Sequence, residues 1–211
     1  MDTKIIINCA MSADGKIALP NRKQIRLSNE EDAKRVNNLR KECDAILVGI
    51  GTIIEDNPKL TIKNNTDLSK NPIRIVLDTN CRTPFDSNVL NNEAKTIIAV
   101  GNHCKINQLK KSEIIKCGNK QIDIKKLIEE LSKKGIGKLL VEGGETVLWS
   151  FLNQNLFHEI NIFIASRIIG GKETPTMAGG EGFNTKLDTL KLSLKNAEIL
   201  GNGVLLTYCK I

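Results

Sequence analysis

An α/β fold built on a largely parallel sheet is the class that this sequence predicts, and three observations predict it. Short β-rich runs alternate with helical stretches along the 211 residues. The middle runs are apolar nearly throughout, as strands covered on both faces by helices must be. The last two runs flank Gly201-Asn202-Gly203, the turn of an antiparallel hairpin that ends the sheet. With 40% hydrophobic residues the chain closes a sizeable core, and the expectation is one domain over 1–211.

The strands are expected at "KIIINCAM" (4–11), "DAILVGI" (44–50), "IRIVLD" (73–78), "KTIIAV" (95–100), "KLLVE" (138–142) and "EINIFIA" (159–165), with "LKLSLKNAEIL" and "GVLLTYCKI" forming the hairpin. Two helices carry clear start signals. Ser28 and Glu31 have the S-x-x-E spacing of a capping box, and Ala33, Val36, Leu39 and Cys43 then recur at helical intervals. Asp123 is placed to cap a second helix with Ile124, Leu127, Ile128 and Leu131 on one face, and Gly135 stops it.

Composition excludes several functions. No run approaches the roughly 18 apolar residues of a membrane span, and "MDTKIIINCAMSADGK" lacks the basic and apolar regions of a secretion signal, so a cytoplasmic protein is expected. The six cysteines are scattered without a CxxC pair, and only His103 and His158 could join them; no metal site is expected, and the cysteines read as reduced, small apolar residues. Net charge is +7, which suits a polyanionic partner. A basic nucleic-acid-binding module is one such reading, although aromatics are only 3% and the lysines are dispersed; a protein whose small ligands carry several phosphates is equally in keeping with the charge.

Four stretches could carry chemistry. In "LLVEGGETVLWSFL" (139–152) a buried strand ends on Glu142, loses its side chains at Gly143 and Gly144, and leads into a helix; a ligand lying against bare main chain at the helix N-terminus would require that pattern, although a tight turn would also produce it. In "ILVGIGTIIEDNPKLT" (46–61) a strand runs into Gly49-x-Gly51, with Thr52 and Asp56 one helical turn apart. The G-x-G-x-x-G fingerprint fails there because Ile54 replaces the third glycine, so a standard dinucleotide fold is disfavoured. Arg40 follows the helical stripe by one turn, where its stem can pack and its guanidinium can meet a phosphate or a rim carboxylate. The fourth, "IIGGKETPTMAGGEGF" (168–183), carries five glycines and reads as a mobile loop or a backbone cradle. The turn at Asp14-Gly15 is ordinary by itself.

Taken in order and spacing, "MSADGKIAL", "VGIGTIIEDNPKLT", "RIVLDTNCRTP" and "LLVEGGETVLWSFL…IIGGKETPT" resemble the reductase family of riboflavin biosynthesis, in its free-standing archaeal form. The resemblance covers almost the whole chain. It implies a dihydrofolate-reductase-like fold with helices on both faces of a mostly parallel central sheet, a single reductase domain, and a homodimer, for which the apolar "LFHEINIFIA" (156–165) is a candidate interface. The bacterial relatives carry a zinc deaminase with H-x-E and P-C-x-x-C motifs; neither motif occurs here, which implies a reductase alone.

The resemblance also implies the ligands and their contacts. NADPH, with NADH as the alternative donor, would meet Ala10, Thr52, Asp56 and Asp78, with Arg82 near the last, and its pyrophosphate would lie on Gly143, Gly144, Glu145, Thr146 and Val147. A ribosylaminopyrimidinone 5′-phosphate would meet Gln24, Arg40, Leu60, Lys63 and Glu142. A carboxylate at 142 suits the amino groups of a diaminopyrimidine, and the two cations suit a phosphate. No catalytic acid is assigned, because no histidine or cysteine is well placed, and positioning for hydride transfer to the ribose carbon is expected to supply most of the catalysis. Dihydrofolate reductase is the nearest competitor within the fold; one tryptophan, one tyrosine and five phenylalanines are few for a folate pocket.

Overall fold

The structure is a computed structural model and describes residues 3–105 and 112–211. In chain order the elements are β1 (Lys4–Ser12), α1 (Glu30–Lys41), β2 (Ala45–Gly49), α2 (Ile50–Asp56), β3 (Ile73–Asp78), β4 (Thr96–Val100), β5 (Glu113–Lys116), α3 (Ile124–Lys133), β6 (Lys138–Gly143), α4 (Glu145–Asn153), β7 (Glu159–Ala165), β8 (Leu192–Leu200) and β9 (Gly203–Lys210). The chain divides into two compact units, one built mainly on Asn37–Leu140 and the other on Ile5–Val36 with Val141–Ile211.

In the first unit, β5, β4, β3 and β2 pair in that order, all parallel. Every residue of β2 and β4 is buried, which is why these runs show no polar alternation. β5 escaped the sequence reading, since only Ile115 of its four residues is buried and no periodicity can show in so short a strand. Asp123 caps α3 as its position requires, accepting from the Lys126 amide at 3.1 Å, and Leu127 and Leu131 are buried beneath it. The largest fully buried side chain is Arg74 of β3, whose guanidinium donates to Thr96 Oγ1 and to the carbonyls of Asn88, Asn91 and Ala94. A buried cation is tolerated there because every fork of it meets an acceptor.

In the second unit β1 pairs parallel with β7, and β9 and β8 follow antiparallel, closing the expected hairpin at Gly201. Leu27, Phe163, Ala165 and Leu205 form its core with Ala10 packed against them. β7 lies between β1 and β9 with Ile160, Asn161, Ile162 and Phe163 buried, so most of the stretch expected as an interface, 156–165, lies inside the sheet; the hairpin, by contrast, exposes Leu194 (54% exposed) and Ile199 (83% exposed).

Two further expectations change. The start of α1 shifts by one residue: Asn29, not Ser28, is the cap, its Oδ1 accepting from the Asp32 amide at 2.8 Å, while the Ser28 hydroxyl is turned to the Asp32 carboxylate. The stripe on α1 is shallow, with Ala33 exposed and Val36 and Leu39 half-buried; the fully buried side chain is Asp32, gripped by Arg35, which also donates to Asn8 of β1 at 2.7 Å. The cysteines are not all reduced either. Cys81 and Cys104, expected to be reduced, form a disulfide with Cα atoms 6.1 Å apart, while Cys9, Cys43, Cys117 and Cys209 are free.

The displaced cap is testable. Asn29→Ala should cost about 1 kcal/mol in urea unfolding, whereas Glu31→Ala should cost far less; equal losses would restore the Ser28–Glu31 box.

Candidate functional site

The second unit carries the glycine turn at the end of β6. Gly143 has φ of 129°, a conformation closed to residues with a side chain, and a Cβ built on it would meet nothing within 4 Å. Gly144 follows as the N-cap of α4, with φ of −49° and ψ of −175°, and no side chain caps the helix. The first-turn amides of Glu145, Thr146 and Val147 are therefore left without a side-chain acceptor, the condition under which a helix start suits an anion. The residues fit a dinucleotide pyrophosphate on that ground. Glu142, half-buried, is the last residue of β6 before Gly143.

Two loops meet the start of α4. Arg22 Nη1 donates to Glu145 Oε1 at 2.9 Å, and Gln24, two residues on, is exposed. From the other loop, Gly179 lies directly on the Glu145 carboxylate and Gly180 on the Trp149 ring: a Cβ would come within 2.9 Å of Glu145 Oε2 and 2.3 Å of Trp149 Cδ1. Trp149 in turn meets Phe183 edge-on at 5.0 Å. The glycine-rich stretch is thus no free loop. Its beginning is tied to the turn after β1, where Asp14 accepts from the amides of Ile169 (3.1 Å) and Gly170 (2.7 Å) and from the Ser12 hydroxyl (2.6 Å). Those donors hold the Asp14 carboxyl down at about 2, the Ser12 hydroxyl contributing most. Lys16 and Ile17 extend the seam to Thr174, Pro175 and Thr176. Thr174 is buried there, with its hydroxyl unpartnered.

Ala10 is half-buried near the end of β1. Its neighbour Cys9 is no nucleophile, because burial, and next the Asp32 charge, push the thiol up to about 12.

The first unit supplies the other predicted residues. Gly49 is the N-cap of α2, and Thr52 and Asp56 on that helix are both half-buried. Burial, and then the Glu55 charge, raise the Asp56 carboxyl above the usual range. The structure brings Arg40, Leu60 and Lys63 together: Arg40 Nη1 donates to the Thr61 carbonyl at 3.0 Å, and the Lys63 amide to Asn37 Oδ1 at 2.6 Å. Leu60, between them, has φ of 51°, a left-handed conformation costing a branched residue about 1–3 kcal/mol. The residue as a whole is only 3% exposed.

Asp78 is placed otherwise than the cofactor-lining role implies. Its carboxylate is buried and accepts from the amides of Arg82 (2.9 Å) and Thr83 (2.7 Å) and from the Thr83 hydroxyl (2.7 Å). It shapes the turn after β3 and leaves the exposed Arg82 side chain as the group a ligand could reach. Sequence reasoning missed Asp14 and Arg22, whose partners are distant in the chain, and the sign of Arg22 is visible only in its backbone, at φ of 67°. Among the described residues no cluster of histidine, cysteine or acidic groups could hold a metal ion, and no helix is long and apolar enough to cross a membrane.

Comparison with known proteins follows the same residues. The profile of the family described as "RibD C-terminal domain" matches residues 3–206. The 2,5-diamino-6-ribosylamino-4(3H)-pyrimidinone 5′-phosphate reductase of Archaeoglobus fulgidus is 39% identical, with 96% of each chain covered. That of Methanothermobacter thermautotrophicus is also 39% identical, over 97% of this chain and 96% of the relative. Among solved structures, Acinetobacter baumannii RibD superposes with a TM-score of 0.84 at 21% identity, covering 99% of this chain and 58% of that one. The fold is therefore the dihydrofolate-reductase-like one, and this chain spans little more than half the length of that RibD.

The Asp14 clamp yields a pH dependence. Its folded carboxyl is lowered to about 2 from an unfolded value near 3.9, so its contribution is present above about pH 4 and is lost as pH falls toward 2. The Gly170 amide proton should titrate with a midpoint near 2 by NMR; a midpoint near 4 would contradict the clamp.

Proposed function

Since the chain belongs to the RibD C-terminal domain family, we propose that it reduces the ribosyl group of 2,5-diamino-6-ribosylamino-4(3H)-pyrimidinone 5′-phosphate to the ribityl form. The observation that carries this reading is the uncapped start of α4 behind Gly143 and Gly144, in a chain 39% identical over nearly its whole length to two reductases of that name. The donor we propose is NADPH in preference to NADH. The family match spans both units, so we treat 1–211 as a single reductase domain, working in the cytoplasm without nucleic acid or membrane.

The reduction adds one hydride and one proton across the C1′ imine of the ring-opened ribosylamine. When bound, the nicotinamide would supply the hydride. In the second unit, Gly143, Gly144, Glu145, Thr146 and Val147 hold the pyrophosphate on main-chain amides, and Ala10, with no side chain beyond Cβ, lets the ring approach β1. Glu142 accepts hydrogen bonds from the amino groups of the pyrimidine and so fixes its orientation, with Gln24 as a further polar contact. In the first unit, Thr52 and Asp56 meet the cofactor, Asp78 keeps the following turn in shape, and Arg40, Lys63 and Leu60 meet the 5′-phosphate and its sugar. The Arg40–Thr61 bond and the strained Leu60 support that assignment, since they hold the segment in one conformation before a ligand arrives. No side chain is assigned as proton donor; water serves.

We further propose a homodimer formed through the hairpin. Leu194 and Ile199 of β8 expose apolar surface, and Val204 and Leu206 of β9 are only half-covered.

The test is NADPH consumption with the ribosylaminopyrimidine phosphate and with dihydrofolate. Turnover of the first alone is expected, and turnover of dihydrofolate alone would overturn the reading. Glu142→Gln should lower kcat/KM for the pyrimidine roughly 10- to 100-fold, the range for losing a charged hydrogen-bond partner. An unchanged value would remove Glu142 from the site.

A further inference from the structure

We infer that Arg22 is a positioning residue for the electron donor: it holds and neutralises Glu145, so that the first turn of α4 stays attractive to a pyrophosphate. The inference rests on the reading that α4 receives that group. Glu145 is the first residue of α4, and its carboxylate is largely buried, with the side chain 20% exposed. For the helix alone a carboxylate in the first turn is favourable, because it faces the positive end of the helix dipole. For an anionic ligand it is a like charge beside the amides that the phosphates need. The carboxylate cannot easily swing away, because Gly179 lies against it with no room for even a methyl group. Its charge must therefore be offset in place, and Arg22 does so at 2.9 Å.

The backbone around Arg22 is built for that contact. Its φ of 67° is a left-handed conformation that arginine rarely adopts, fixed by the tight turn in which the Arg22 amide donates to the Leu19 carbonyl (2.8 Å) and the Leu19 amide to the Lys23 carbonyl (3.0 Å). With the Arg22 side chain 63% exposed, the ion pair itself adds little to stability. A strained residue that secures a weakly stabilising pair is explained by what the pair does to its surroundings.

The experiment measures NADPH affinity and steady-state kinetics for the wild type, Arg22→Gln, Arg22→Lys and the double variant Arg22→Gln/Glu145→Gln. At low ionic strength Arg22→Gln should raise the Kd and KM for NADPH roughly five- to tenfold with kcat unchanged, and the loss should shrink as salt screens the repulsion between the unpaired carboxylate and the ligand. Arg22→Lys should recover part of the loss, and the double variant most of it, since removing the carboxylate removes the need for the cation. A double variant as weak as Arg22→Gln would mean that Arg22 touches the donor directly, which overturns the inference. So would an Arg22→Gln enzyme with wild-type KM, or one in which kcat falls and KM holds. Failure of the underlying reading looks different: the wild type itself would not bind NADPH.

Discussion

The turn at the end of β6 has to satisfy two demands, one that a side chain at Gly143 would defeat and one that a capping side chain at Gly144 would defeat. It must bend the chain out of a buried strand through φ of 129°, and it must leave the amides at the head of α4 without an internal acceptor. Both follow from glycine: the first needs a residue without Cβ, and the second needs a cap that has no oxygen to offer. An uncapped helix start carries a cost in unmade hydrogen bonds, and a bound anion is the natural group to make them. The remaining features of the second unit are arranged around this turn. Glu142 precedes it, Arg22 and Gly179 enclose the carboxylate that follows it, and the Asp14 clamp ties down the near end of the glycine-rich segment.

The first unit solves a different problem, that of holding irregular chain still. Arg74 fastens the segment between β3 and β4 by binding three of its carbonyls, and Asp78 fastens the turn at the end of β3 by the reverse device, a carboxylate that collects amides. The Cys81–Cys104 disulfide joins that turn to the loop after β4. Leu60 is held in a left-handed conformation beside Arg40. Rigid loops set on a parallel ladder are what a reaction governed by positioning requires, because little is then left to order when the ligand binds.

Much of this was legible in the sequence, and the reason is locality. The glycine pair, the helix that follows it, the Asp123 cap and the closing hairpin are each encoded within a few neighbouring residues. What escaped was written across distance: Asp14 meets amides 155 and 156 residues away, Arg22 meets a carboxylate 123 residues away, and Cys81 pairs at a separation of 23. The α1 cap was misread by one residue because Ser28 and Asn29 are both good caps, and the faint apolar stripe of that helix could not fix the frame. Asp78 is a related case. An acidic residue at a strand end can face a ligand or satisfy its own turn, and only the amides of Arg82 and Thr83 decide between them.

The central claim is that main-chain amides at the head of α4 bind the electron donor. Amide-resolved NMR of the full chain, titrated with NADPH, tests it most directly. The account predicts large, saturable shifts and slowed exchange at Glu145, Thr146 and Val147, with an affinity matching the kinetic KM. Unmoved resonances at those three positions, in an enzyme that still turns over, would contradict it.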